Sequence, residues 1–138
     1  MRPSTDTDAL LAEARKAREF SHSPYSGFSV GAAVLTADGQ VFSGCNVENA
    51  SYGLTVCAER VAVLKAVSNG ARQIVTVAVS TQPSSKKSVS PYPCGACLQV
   101  LSEFSKPDTK IIIDGYGIMH LSELVPHPFQ LLPQAQQD

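Results

Sequence analysis

Two short stretches, Cys57-Ala58-Glu59 and Pro93-Cys94-Gly95-Ala96-Cys97, decide how the rest of this 138-residue chain is interpreted. They supply three thiols and one carboxylate. A structural zinc site normally closes with four protein ligands, whereas a catalytic site keeps its fourth position for water or substrate. The two stretches therefore predict an open metal site, with Cys57, Cys94 and Cys97 as its ligands.

Each stretch opens a helical pattern. One helix is predicted from about Cys57 to Asn69, where Gly70 stops it, and another from about Cys94 to Phe104, ahead of Pro107. Backbone N–H groups and the positive dipole end at a helix N-terminus stabilise thiolates. We therefore expect two helix N-termini to meet at the metal, with the Cys94 and Cys97 sulfurs on one helical face.

Glu59 and Arg60 directly follow the first ligand region. Arg60 lies three residues after Cys57, so we expect it on the same helical face, where its charge offsets part of the charge of the thiolates. Glu59 is two residues from Cys57, which on a continuous helix corresponds to about 200° of rotation. Spacing alone leaves open whether Glu59 and Cys57 converge on one water molecule.

The remaining elements alternate between helices and strands. Apolar residues at helical spacing predict an amphipathic helix over residues 6–20, capped by Thr5 or Thr7; they are Leu10, Leu11, Ala14, Ala17 and Phe20. Strands are predicted at 28–36, 40–47, 73–80, 110–114 and 118–121, and Asp38-Gly39 marks a tight hairpin between the first two. The continuous Ile, Val and Ala pattern of 73–80 predicts a strand covered on both faces.

This order of elements predicts a single three-layer α/β/α domain over residues 1–138. Its core is a central mixed five-stranded sheet with helices on both faces and the hairpin at its first edge. The N-terminal residues 1–6 are short and polar, and the Gln-rich tail, residues 130–138, is expected to be partly mobile.

Composition narrows the class of protein. With 43% hydrophobic residues, the chain fits one domain that buries roughly two thirds of its unfolded surface. The 11 Lys and Arg nearly balance the 12 Asp and Glu, which disfavours a nucleic-acid partner. No run approaches the ~18 apolar residues of a membrane helix, and residues 1–8 do not resemble a secretory leader. We expect a soluble cytoplasmic protein whose reduced thiols bind metal or act in catalysis.

Further motifs complete a resemblance. They are Ser23-Pro24-Tyr25-Ser26-Gly27-Phe28, Val30-Gly31-Ala32-Ala33, Gly44-Cys45-Asn46-Val47-Glu48-Asn49 and Leu121-Ser122-Glu123-Leu124-Val125-Pro126. With them, over roughly residues 10–129, the chain resembles a cytidine deaminase of the small, homotetrameric, three-cysteine zinc type. The resemblance implies one zinc ion per subunit and hydrolysis of free cytidine and deoxycytidine to uridine and deoxyuridine, with release of ammonia, in pyrimidine salvage.

The resemblance also implies catalytic and sugar-binding roles. Glu59 matches the family's proton shuttle, which moves a proton from water to the ring N3 and then passes a second proton to the departing ammonia. Asn46 and Glu48 match the residues that hold the ribose hydroxyls. Two residues apart at a strand end, their side chains are expected to point the same way.

The remaining contacts implied by the resemblance are with the nucleoside as a whole. Phe28 is expected to pack against it, and Ala58 to line its site. Tyr52 and Phe129 are expected to reach into the pocket of an adjacent subunit.

Two features depart from the family pattern. The family usually has Arg directly after the second loop cysteine, whereas this chain has Leu98, so one neutralising charge is missing and Arg60 is expected to carry more of that role. The loop 84–93 before the cysteine pair is also longer than usual.

Two other functions remain open from the sequence. One is a deaminase of another substrate, such as an edited nucleic acid or an aminopyrimidine antibiotic. The other is an inactive zinc-stabilised binding module in which Cys45 completes a closed four-sulfur site. Cys45 is more simply explained as a small buried hydrophobe at a strand end, and Phe28 also fits a plain core position.

Overall fold

A computed structural model of the chain describes residues 3–82 and 90–131, with side chains from residue 6 onward. The helices in these ranges are α1 (Pro3–Arg18), α2 (Ala58–Ser68), α3 (Gly95–Phe104) and the short α4 (Leu121–Leu124). The strands are β1 (Val30–Thr36), β2 (Val41–Cys45), β3 (Ile74–Thr81), β4 (Ser105–Ile113) and β5 (Gly117–His120). A single 3₁₀ turn, Tyr52–Leu54, precedes α2.

The five strands form one mixed sheet in the order β2-β1-β3-β4-β5. The β3–β4 pair is parallel and the other three pairs are antiparallel. Helix α1 packs on one face of the sheet, and α2, α3 and α4 lie on the other. The expected three-layer architecture is confirmed, and β2 of the hairpin is an edge strand as predicted.

Side-chain alternation along the strands divides the core between the two faces. Ala33, Ala78 and Ile112 pack under α1 together with Leu10 and Ala14. Their strand neighbours point to the opposite face, where they pack with α2 and α3; these are Ala32, Val34, Val77, Val79, Ile111 and Ile113. Central strands that bury both faces explain the near-continuous apolar runs of β3 and β4.

Glycines allow both helices to approach the hairpin closely. A Cβ at Gly31 would lie 1.9 Å from the Ala14 carbonyl oxygen of α1, and a Cβ at Gly44 would lie 2.7 Å from the Ala62 nitrogen of α2. Neither distance is compatible with a side chain. The hairpin is therefore packed backbone to backbone against one helix on each face.

The first helix and the hairpin turn differ from their predictions. The helix runs over residues 3–18, so Thr7 lies inside it, and Phe20 follows its end and is 77% exposed instead of buried. At the turn, only Gly39 has a positive φ, of 88°. Gly39 N–H donates to the Thr36 carbonyl and Thr36 N–H to the Gln40 carbonyl, which makes a three-residue loop ending in a left-handed glycine.

Element boundaries differ at four further places. Phe28 and Ser29 precede β1, and β2 ends at Cys45, two residues earlier than predicted. Strand β4 begins at Ser105, directly after α3, and Leu121 starts α4 instead of ending β5. The predicted mobile tail lies mostly outside the described residues. Within those residues, no helix is long and apolar enough to cross a membrane.

Candidate metal centre and active site

The three thiols of the cysteine motifs converge at the N-termini of α2 and α3. Cys57 is the N-cap of α2, Cys94 is the N-cap of α3, and Cys97 lies in the first turn of α3. Their sulfurs lie within 4.8 Å of one another, with 3.8 Å between Cys57 and Cys94 and 3.5 Å between Cys94 and Cys97. A tetrahedral zinc with Zn–S bonds of about 2.3 Å places its sulfurs about 3.8 Å apart. The cluster therefore has the ligand type and spacing of a zinc site.

The cluster favours a thiolate at Cys57. Hydrogen bonding from the Cys97 thiol lowers the pKa of Cys57 to about 5, with further help from Arg60. The same contact, together with burial, raises the pKa of Cys97 above its ordinary value. One negative charge is thus held first at Cys57, at the N-terminus of α2, where the helix dipole favours it.

Arg60 contacts the first ligand as its spacing predicts. Its Nη2 lies 3.8 Å from Cys57 Sγ and donates to the Thr55 carbonyl at 3.2 Å. Leu98, at the position where the resemblance led us to expect Arg, packs instead against the hydrophobic core. Within the described residues, Arg60 is the cation hydrogen-bonded to the cluster.

Glu59 is brought beside the cluster because Cys57 is not part of the helix. Cys57 has extended backbone angles (φ −72°, ψ 155°), so the rotation expected for two residues of a continuous helix does not apply. The Glu59 side chain is buried, with 5% of the residue exposed. Burial raises the pKa of Glu59 to about 7, and the negative charge of Cys57 adds to this effect. Such a group exchanges protons near neutral pH.

One cavity of about 340 Å³ joins the cluster to the predicted sugar-binding residues. Cys57, Cys94 and Glu59 line it at one end. Its other lining residues include the predicted contacts Phe28, Asn46, Glu48, Tyr52 and Ala58. Its volume is in the range of small-molecule sites. Phe28 is thus a cavity-lining residue and not part of the closed core.

Asn46 is hydrogen-bonded to the segment before and at the start of β1. Its Nδ2 donates to the Phe28 carbonyl at 2.8 Å, and its Oδ1 accepts from Val30 N–H at 2.9 Å and from the Ser21 hydroxyl. These bonds occupy both acceptor sites of Oδ1 and one of the two amide hydrogens. One N–H of Asn46 remains free of these partners.

Glu48 is held by the turn that precedes Phe28. Its Oε1 accepts from Tyr25 N–H at 2.9 Å and Ser26 N–H at 3.1 Å, and its Oε2 accepts from the Ser26 hydroxyl. These bonds, chiefly that from the Ser26 hydroxyl, lower the pKa of Glu48. Glu48 and Asn46 line the same cavity, as expected of side chains that point the same way, although β2 ends before both.

Three predicted residues lie at the edge of the site or away from it. Tyr52 is 59% exposed, lines the chain's own cavity and packs edge-on against Tyr25. Phe129 is 65% exposed and is not a lining residue; its carbonyl accepts a hydrogen bond from Gln99. Cys45 is at the end of β2, only partly buried, and outside the three-sulfur cluster. The closed four-sulfur site is therefore not formed.

Sequence reasoning missed part of the cavity wall. Ser26 lines the cavity and contacts Glu48, and Ser90, Pro91 and Tyr92 line it from the end of the loop before Cys94. Ser90, Pro91 and Tyr92 lie just before the cysteine pair in the chain, and this proximity could have identified them from the sequence. The first part of that loop, residues 84–89, lies outside the described residues.

Comparison with known proteins supports the family that the motifs indicate. The family model described as the cytidine and deoxycytidylate deaminase zinc-binding region matches residues 4–113. A cytidine deaminase of Halalkalibacterium halodurans is 47% identical over 90% of this chain and 94% of its own length. A crystal structure of the Mycobacterium tuberculosis cytidine deaminase superposes with a TM-score of 0.79, at 40% identity, over 91% of this chain and 98% of that one.

A relative with a different printed activity also matches. A Bacillus cereus protein named blasticidin-S deaminase is 34% identical over 70% of this chain and 74% of its own length. The mixed sheet and the three-thiol centre beside a buried carboxylate define a zinc-type deaminase fold. The chain belongs to the cytidine and deoxycytidylate deaminase family. The resemblance to the cytidine deaminase family that was inferred from the motifs is confirmed.

Proposed function

We propose that the protein hydrolyses free cytidine and deoxycytidine to uridine and deoxyuridine, with release of ammonia, in pyrimidine salvage. The observation that carries the proposal is that a single cavity reaches from the thiol cluster and Glu59 to Asn46 and Glu48. The first end supplies the groups for hydrolysis at a ring carbon, and the second supplies an amide and a carboxylate for sugar hydroxyls.

The residues at the first end fit one zinc ion per subunit. Cys57, Cys94 and Cys97 would hold it, since three sulfurs at tetrahedral spacing leave a fourth position open. Bound there, zinc acidifies a water molecule so that hydroxide is available near neutral pH. Arg60 limits the build-up of negative charge on the thiolates, because its guanidinium lies 3.8 Å from Cys57 Sγ.

Glu59 is proposed to carry the proton. Its carboxylate would accept a proton from the water that attacks C4 and donate this proton to N3 of the cytosine ring. It would then move the proton of the new C4 hydroxyl to the amino group, which leaves as ammonia while the C4 carbonyl forms. A carboxyl group with a pKa near 7 both accepts and donates protons at neutral pH. Burial of Glu59 at the cavity wall also keeps bulk water from competing for that proton.

The cavity wall would orient the nucleoside between these ends. Phe28 and Val79 provide apolar surface for the base, and Ala58 leaves room beside the cluster. The free N–H of Asn46 and the remaining lone pair of Glu48 Oε2 would meet a sugar hydroxyl.

We further propose a cytoplasmic homotetramer. The support is that Tyr52 and Phe129 are large aromatic side chains more than half exposed on the single chain, as expected of residues that pack against neighbouring subunits. Sedimentation of the purified protein tests this assembly: a monomer would overturn it.

Replacement of Glu59 by Gln tests the proposed function. The wild type is expected to convert cytidine with loss of its ultraviolet band, and the Glu59→Gln protein to lose at least about 100-fold in kcat while keeping its zinc. Glu103→Gln, an exposed change on α3, is the matched control and is expected to keep full activity. Undiminished turnover in Glu59→Gln would overturn the assignment.

A second candidate is deamination of an aminopyrimidine antibiotic. The relative named blasticidin-S deaminase favours it, because that protein shares 34% identity over much of the chain. Glu59 would be required for both activities, so its replacement cannot separate the two candidate functions. Parallel assays with cytidine and with blasticidin S separate them. Turnover of the antibiotic alone would transfer the proposal to this substrate.

A further inference from the structure

Ser26 joins two residues of the nucleoside site by one hydroxyl. Its Oγ donates to Glu48 Oε2 and accepts from Phe28 N–H at 3.0 Å. Its own backbone N–H donates to Glu48 Oε1 at 3.1 Å. Ser26 therefore fixes the position of the carboxylate at the sugar end of the cavity and, through the same atom, the backbone of the aromatic residue that lines it.

The hydrogen bonds at Glu48 leave little capacity for a ligand. A carboxylate has about four acceptor positions. Tyr25 N–H, Ser26 N–H and the Ser26 hydroxyl occupy three of them, two on Oε1 and one on Oε2. One position on Oε2 remains, and its direction depends on where Ser26 holds that oxygen.

The Ser26 hydroxyl has no hydrogen left for a substrate. A serine hydroxyl carries one donor hydrogen, and Glu48 receives it. Although Ser26 lines the cavity, its effect on a bound nucleoside must therefore act mainly through Glu48 and Phe28.

We propose that Ser26 is a positioning residue that, through Glu48, sets how strongly turnover depends on a sugar hydroxyl of the substrate. The proposal rests on the proposed function, because it needs a nucleoside in this cavity. Its contact with Phe28 affects all nucleosides alike, whereas its contact with Glu48 affects only those with a hydroxyl to donate. A change in the ratio of kcat/KM between a nucleoside with sugar hydroxyls and one without them is therefore specific to the positioning role.

The experiment compares kcat/KM for cytidine with kcat/KM for a cytidine analogue that lacks both sugar-ring hydroxyls. In Ser26→Ala, the preference for cytidine over the analogue is expected to fall about tenfold, as is typical when one hydrogen bond to a charged group is lost. Ser26→Thr keeps the hydroxyl and is expected to retain the wild-type preference. Ser23→Ala is the matched control in the same turn, because Ser23 bonds only Ser21 and Ser29 hydroxyls among its side-chain partners in the structure.

Each outcome decides the proposal. An equal loss for both substrates in Ser26→Ala, with thermal unfolding also lowered, would mean a purely structural role and overturn it. An unchanged preference would overturn it as well. If the wild type turns over neither compound, the proposed function itself fails and the role of Ser26 falls with it, which is distinct from the two earlier results.

Discussion

The close packing of α1 on the hairpin makes Gly31→Ala a sharp test of the fold. The new Cβ would lie 1.9 Å from the Ala14 carbonyl oxygen and 2.5 Å from the Arg18 nitrogen, whereas ordinary contacts begin at 3.4 Å. Helix α1 must therefore move by about 1.5 Å, which opens the interface between Ala14 of the helix and Ala33 of the sheet. Overpacking of this kind costs about 3 kcal/mol, less a few tenths regained because alanine restricts the unfolded chain.

The assay is the free energy of unfolding in urea, together with thermal unfolding. We expect a loss of about 3 kcal/mol and a fall in Tm of about 10 °C. Gly53→Ala is the matched control, since a Cβ there meets nothing within 4 Å, and its effect should stay below about 0.5 kcal/mol. Arg18 also donates to the Thr81 carbonyl of the cavity wall, so the Gly31 variant should lose activity as well. Equal stability of the two alanine variants would refute the packing argument.

Two further predictions concern charge. Arg60→Gln should weaken zinc retention about tenfold. A charge 3.8 Å from the Cys57 sulfur contributes between about 1 and 4 kcal/mol, and the lower end is expected at a partly exposed site. Competition with a chelator measures zinc retention, and unchanged retention in Arg60→Gln would contradict the prediction. Arg15→Met should destabilise the protein at pH 7, because two hydrogen bonds from Arg15 lower the pKa of Asp114. A lowered carboxyl pKa stabilises the fold above the ordinary value of 3.8, and this contribution is lost as pH falls through the folded pKa. The difference between Arg15→Met and wild type should therefore shrink below about pH 4 in acid-titrated unfolding, and a constant difference would exclude the ion pair as its cause.

The sequence predicted the layers of the fold well because apolar periodicity reports burial directly. The continuous apolar pattern of β3 and the Asp38-Gly39 turn each indicated a local structure that the sheet then used. Phe20 shows where this reasoning fails. It fits the helical period, yet the helix ends at Arg18 and leaves Phe20 exposed, since periodicity carries no information on where the backbone hydrogen bonds stop.

The metal end of the site was predictable and the sugar end only partly so. Ligand type and spacing predict Cys57, Cys94 and Cys97 as metal ligands, and the resemblance supports this prediction. The roles of Asn46 and Glu48 came from resemblance, and their hydrogen bonds to the 21–30 segment could not be read from spacing. Those bonds join residues about 20 positions apart, and only the folded hairpin brings them together.

The N-caps of α2 and α3 are both cysteines of the thiol cluster, and this choice of residue lowers the stability of the two helices. Neither Cys57 nor Cys94 makes a side-chain capping hydrogen bond, although a Ser, Thr, Asp or Asn at an N-cap typically stabilises a helix by about 1 kcal/mol. The chain forgoes that contribution at the start of both α2 and α3. A protein selected only for durability would place oxygen-bearing caps there, so the presence of cysteine at both positions marks a local sacrifice of helix stability in favour of a metal centre.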